Sequence, residues 1–112
     1  MKIVNDERKH ELYNILKKMY KCADNNELED YYRLKNIYLK LIKDIFSIDI
    51  GNQREDEEGF EWAATPNLLD TLFTYYDLYK DKPDKKDKYE EVKKKILADF
   101  LKRIEKLKSY LT

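Results

Sequence analysis

Glu7, His10, Cys22, Ser47, Ser109 and the acidic run from Arg54 to Glu61 are where this chain of 112 residues could do chemistry. "ERKH", Glu7 to His10, spells Glu-x-x-His, the motif with which helical di-iron proteins hold metal. Such a site takes a second copy of the motif and two further inward glutamates, but His10 is the only histidine. One chain cannot complete it, and Arg8, Lys9 and Glu11 mark this turn as the solvated start of a helix. Triad chemistry needs a base beside its nucleophile. Cys22 lies about three turns from His10 on one helix, too far to pair with it. Ser47 and Ser109 fall near helix ends. Gly51 and Gly59 stand singly and cannot form a phosphate-cradling loop. Zinc sites built from Cys and His need more of both. "REDEEGFE" offers carboxylates of the kind Ca²⁺ prefers, without the loop spacing and central glycine of an EF-hand. Adjacent like charges need only water, so the run reads as a solvated acidic loop. The expectation is a protein with no cofactor, no metal and no enzymatic activity.

With one cysteine, no internal disulfide can form, and a free thiol suits a reducing compartment. No apolar run approaches the ~18 residues of a membrane span, and "MKIVNDERKHELY" has no apolar leader segment. A cytoplasmic protein that does not enter the membrane is expected. Apolar residues make up 42% of the chain, too many for disorder, and charged residues 41%, which implies long solvated helices. Net charge is zero, against a protein built mainly to coat nucleic acid. The charge is uneven: residues 49–61 sum to −5 and residues 85–112 to +5.

Helical periodicity organises nearly all of the chain. From about residue 6 to 23, Leu12, Ile15, Leu16, Met19, Tyr20 and Ala23 share one face, and "DNN" at 24–26 ends the helix. From 27 to 46, Tyr31, Leu34, Tyr38, Leu41, Ile42 and Ile45 form a stripe widened by Tyr32, Leu39 and Phe46. A helix apolar over so broad an arc packs against more than one neighbour. Residues 47–59 read as a long loop. "TPN" then predicts Thr65 as N-cap and Pro66 as first residue of a helix over 66–80, ended before Pro83. The last helix spans 84–110, with a stripe of Tyr89, Val92, Ile96, Phe100, Ile104, Leu107 and Leu111. The fold class is all-α: a single domain over 1–112, an antiparallel four-helix bundle with a long acidic loop between its second and third helices.

Between Trp62 and Tyr76 there is one charged residue, Asp70, in a chain otherwise crowded with charge. That neutrality marks the third helix as the most enclosed, and the Phe60–Trp62 segment before it closes the end of the core or anchors an interface. For partner docking the candidates are Glu55, Asp56, Glu57, Glu58, Phe60, Trp62 and Asn67. For nucleic acid they are Lys86, Lys93, Lys94 and Arg103 on the last helix, with Tyr32 and Tyr75 from the "YY" doublets for stacking. The leading reading is a small interaction protein that docks on a partner protein as inhibitor, adaptor or small subunit. The alternative is a nucleic-acid- or nucleotide-binding helical bundle, accessory to a replication or recombination enzyme. The regular stripe of the last helix would also allow a homodimer through that helix.

Overall fold

The computed structural model describes residues 6–46 and 57–111. These residues form α1 (Asp6–Asp24), α2 (Leu28–Phe46), α3 (Glu57–Ala64), α4 (Asn67–Tyr79) and α5 (Lys86–Leu107). Short 3₁₀ turns, Pro83–Lys85 and Lys108–Tyr110, flank α5, and there is no strand among the described residues. α1 packs on α2, α5 and α4, α4 packs on α5, and α3 packs on α2. The molecule measures 57 × 25 × 23 Å. No helix of the described residues is long and apolar enough to cross a membrane.

The break after α1 is where the sequence puts it. Asn26 takes a left-handed conformation (φ 58°), which Asn tolerates better than most residues. The Glu27 N–H donates to the Cys22 carbonyl at 2.8 Å and the Asn26 N–H to that of Ala23 at 3.3 Å. This reciprocal pair closes the helix C-terminus and turns the chain into α2. As a result the first turn of α1 lies beside the last of α2, where Arg8 Nη2 is 3.5 Å from Asp44 Oδ2.

The core draws on every helix: Leu12, Leu16, Met19 and Ala23 from α1; Tyr31, Tyr38 and Ile42 from α2; Trp62 from α3; Leu69, Leu72 and Phe73 from α4; Leu97, Phe100, Ile104 and Leu107 from α5. Each large side chain so enclosed contributes about 1.5–3 kcal/mol relative to exposure, offset by the entropy of ordering the chain.

Three expectations are corrected. Residues 57–59 are not loop but the first turn of α3, while the rest of the expected acidic loop, 47–56, lies outside the described residues. α3 forms because its one large enclosed side chain, Trp62, has a place in the core, and because the Tyr38 hydroxyl donates to the Trp62 carbonyl. Thr65 does not cap α4. Its Oγ1 donates back to the Glu61 carbonyl at 2.7 Å, finishing α3, and Pro66 occupies the cap position of α4 with no side-chain hydrogen bond. In α5 the buried line runs through Tyr89, Lys93, Leu97, Phe100, Ile104 and Leu107, while Val92 and Ile96 are only half-buried. Most of that stripe is used inside the chain.

Candidate functional site

Of the residues expected to dock a partner, those whose side chains are described do not all reach the surface. Glu55 and Asp56 lie outside the described residues, and Glu57 is placed only as the first residue of α3. Glu58 is half-buried. Its carboxylate lies 2.8 Å from Lys9 Nζ and accepts the Trp62 indole N–H at 3.1 Å. Lys9, 7% exposed, is thereby kept paired where an unpaired ammonium would be costly. Trp62 is completely enclosed, so of the two aromatics only Phe60, 45% exposed, can meet a partner. Asn67 is exposed at the start of α4. The acidic character of α3 is partly neutralised by the basic chain end, since Glu61 accepts the Tyr110 hydroxyl at 2.7 Å and lies 3.7 Å from Lys106 Nζ.

The lone charge of the neutral stretch has a structural answer. The Asp70 carboxylate takes the Tyr31 hydroxyl at 2.6 Å on one oxygen and the Lys35 ammonium on the other. It bolts α2 to α4 at the point where Tyr31 also meets the Phe73 ring, 4.8 Å centre to centre. Burial, and then the hydrogen bond to Asp70, hold the Tyr31 phenol well above its ordinary range. Burial alone does the same to Tyr38.

The nucleic-acid candidates also scatter. Lys93 is corrected outright: only 8% exposed, it donates to the Asp24 carbonyl at the C-terminus of α1. Its stem fills a core position while its charge sits at the negative end of the α1 dipole. Lys94 and Arg103 are exposed but nine residues apart, about 180° around the helix. Tyr32 is 45% exposed on α2, and Tyr75 is half-buried on α4 with its ring 6.0 Å from that of Tyr79. Lys94 lines a cleft of about 450 Å³ together with Tyr20, Asp24, Glu90 and Leu101, and Lys86 joins another. Together with Tyr76, Tyr79, Lys80, Lys82 and Tyr89 it lines a space of about 360 Å³ between α4 and α5. The Tyr89 hydroxyl donates to Asn26 Oδ1 at 2.8 Å, and burial pushes its pKa up to about 12.

A second feature was not singled out by sequence reasoning. On the outer side of α1 and α2, Ile15, Leu34, Ile37 and Leu41 line a groove of about 620 Å³, edged by Glu11, Lys18, Lys40 and Asp44. Ile37 is 50% exposed. The groove continues past Lys18 to Lys21, Cys22, Asp30 and Arg33. Its signal was the width of the α2 stripe, which covers more arc than the core uses.

Among the described residues no group of His, Cys, Asp and Glu could hold a metal ion. His10 is exposed, and Cys22 is buried with its thiol raised, chiefly by burial. Comparison of the chain with protein-family models, with curated proteins and with solved structures finds no match.

Proposed function

We propose that this chain acts by docking rather than by catalysis: a small cytoplasmic, non-enzymatic protein that seats on a protein surface as inhibitor, adaptor or small subunit of a larger assembly. In this reading its helices form an antiparallel bundle, and the outer α1–α2 face is the docking face. The observation that carries it is the half-exposed Ile37 at the centre of a groove whose other apolar walls are Ile15, Leu34 and Leu41. Isolated apolar side chains on a surface are ordinary, but a continuous apolar groove with charged edges fits a protein interface. Phe60 is the remaining aromatic anchor from the sequence. The test is affinity capture from native lysate, with and without nuclease, comparing the wild type with Ile37→Glu. A stoichiometric partner that survives nuclease and is lost with Ile37→Glu supports the reading. An unchanged capture profile overturns it.

One observation favours the alternative, a nucleic-acid- or nucleotide-binding module: the tyrosine and lysine cleft of Tyr76, Tyr79, Lys82 and Lys86. Aromatic faces stack bases and ammonium groups hold phosphates. If this reading holds, a single-stranded oligonucleotide binds, binding weakens steeply with added salt, and Lys82→Glu with Lys86→Glu abolishes it. Binding that ignores salt, or survives both changes, rules it out.

A further inference from the structure

The corner that joins α4 to α5 is neutral in sequence and basic where it folds inward. Residues 77–90 carry five basic and five acidic side chains. Three of the basic residues, Lys80, Lys82 and Lys86, line the cleft between the two helices, and of the acidic ones only Glu90 does. Lys80 has a local partner in Asp77 at 3.5 Å. Lys82 and Lys86 are exposed and have no ion pair among the described residues. The aromatic wall beside them is braced from within. Tyr89, 7% exposed, is fixed by its hydroxyl on Asn26, with its ring 5.8 Å from that of Tyr76. Tyr79 is half-buried and rests one face on Tyr75, with 30° between the ring planes.

We propose that this cleft binds one phosphate-terminated nucleotide: a nucleoside monophosphate, free or at the 5′ end of a single strand, with its base against Tyr79 and its phosphate on Lys82 and Lys86. The inference rests on the nucleotide-binding alternative above and narrows it to one unit of ligand. The cleft shares no lining residue with the α1–α2 groove, so binding here does not depend on docking there. Size limits the ligand first. About 360 Å³ is near the lower end of the ~300–1,000 Å³ of small-molecule sites, which suits one base with its phosphate rather than a tract of them. Charge limits it next. A terminal phosphate monoester carries about −1.5 to −2 near neutral pH, and a phosphodiester within a strand carries a single charge. Two unpaired ammonium groups match the monoester. The path onward along α5 is unfavourable to more phosphates. Glu90 also lines the neighbouring cleft on the α1 side, together with Asp24. Of the two lysines there, Lys93 is taken up by the Asp24 carbonyl, which leaves Lys94 against two carboxylates. A strand that continued would meet net negative charge, and a nucleotide that ends in the cleft does not. Stacking on an aromatic face accepts any base, so the site recognises an end and not a sequence.

Fluorescence anisotropy of a short single-stranded DNA, dye-labelled at its 3′ end and made with and without a 5′-phosphate, tests this. The full chain should bind the phosphorylated strand about tenfold more tightly, because a charge-assisted contact is gained. AMP should displace that strand, and adenosine and inorganic phosphate should each do so about tenfold less well. AMP as effective as unlabelled phosphorylated strand makes the free nucleotide the ligand, and a strand that outcompetes AMP makes it a strand end. Lys82→Gln with Lys86→Gln should abolish the preference for the phosphate. Tyr79→Leu should weaken binding of AMP and of both strands, with circular dichroism confirming that each variant keeps its helix. Equal binding with and without the 5′-phosphate, a preference that survives loss of both lysines, or displacement by inorganic phosphate as readily as by AMP, overturns the proposal. If both strands bind equally and Lys82→Glu with Lys86→Glu still abolishes binding, the terminal phosphate falls and the nucleic-acid reading stands. If neither strand nor AMP binds, both fall.

Discussion

Trp62 and Phe60 are two residues apart, and in a helix that spacing turns their side chains about 200° from each other. Only one can face the core, and the structure encloses Trp62 fully while leaving Phe60 45% exposed. Had α3 been recognisable in the sequence, this division would have been too, because the geometry alone decides that one of the pair is outside. Trp62→Ala removes a filled core volume and the indole partner of Glu58, so it should cost roughly 3–5 kcal/mol in urea denaturation. Phe60→Ala should cost under about 1 kcal/mol. Equal costs would contradict this placement. Lys93 is a different kind of case. It stands in "KKK", and nothing local says which of three lysines turns inward. Its acceptor, the Asp24 carbonyl, comes from another helix at the far end of the sequence. Asp70 was conspicuous as the one charge in a neutral stretch, yet its partners Tyr31 and Lys35 also come from another helix, 39 and 35 residues away.

At the scale of elements, α1, α2, α4 and α5 were legible because each repeats apolar residues at helical spacing over several turns. α3 was not, since its eight residues make about two turns and include an interior glycine, which costs a helix about 1 kcal/mol relative to alanine. Gly59 has a reason to be there. A Cβ built on it would stand 3.0 Å from Phe46 Cγ and 3.1 Å from Phe46 Cβ. The last turn of α2 and the first of α3 approach so closely that even a methyl group must push Phe46 aside. Gly59→Ala therefore sets a gain in helix propensity against overpacking, and contact with Phe46 Cβ, tied to the α2 backbone, makes overpacking the larger effect. The substitution should lower stability by about 1 kcal/mol. In a Phe46→Ala background, where the obstruction is gone, the same substitution should raise stability by up to about 1 kcal/mol. A double-mutant cycle measures the difference, and no coupling between the two sites would show that the approach of α2 to α3 does not explain the glycine.

Beyond apolar contact, the molecule ties its helices together through tyrosine hydroxyls: Tyr31 joins α2 to α4, Tyr38 joins α2 to α3, and Tyr89 joins α5 to the α1–α2 turn. Ten tyrosines were plain in the sequence, but not which of them the core would claim, since a "YY" doublet offers either member. Tyr31 is enclosed and Tyr32 is 45% exposed. This reliance on buried phenols has a pH consequence whose sign is fixed. Each phenol is kept neutral in the fold, with its pKa above the ordinary value near ~10. The unfolded chain therefore loses those protons first, and stability falls wherever the folded state binds more protons than the unfolded. The contribution is complete below about pH 10 and declines above it. For Tyr89 the decline ends once its pKa of about 12 is passed. Tyr31 and Tyr38, held higher, continue it. Each group adds about 1.4 kcal/mol per pH unit to the slope while it is ionised only in the unfolded chain. Urea denaturation between neutral pH and strong alkali should show this fall, together with a one-proton reduction in slope for Tyr38→Phe. Other groups that titrate in alkali are common to both proteins, so the difference isolates one phenol. Tyr38→Phe should also be about 1 kcal/mol less stable at neutral pH, having lost its hydrogen bond to the Trp62 carbonyl. The two stability curves should therefore converge as pH rises, and parallel curves would mean that Tyr38 is not the buried neutral donor the structure makes it.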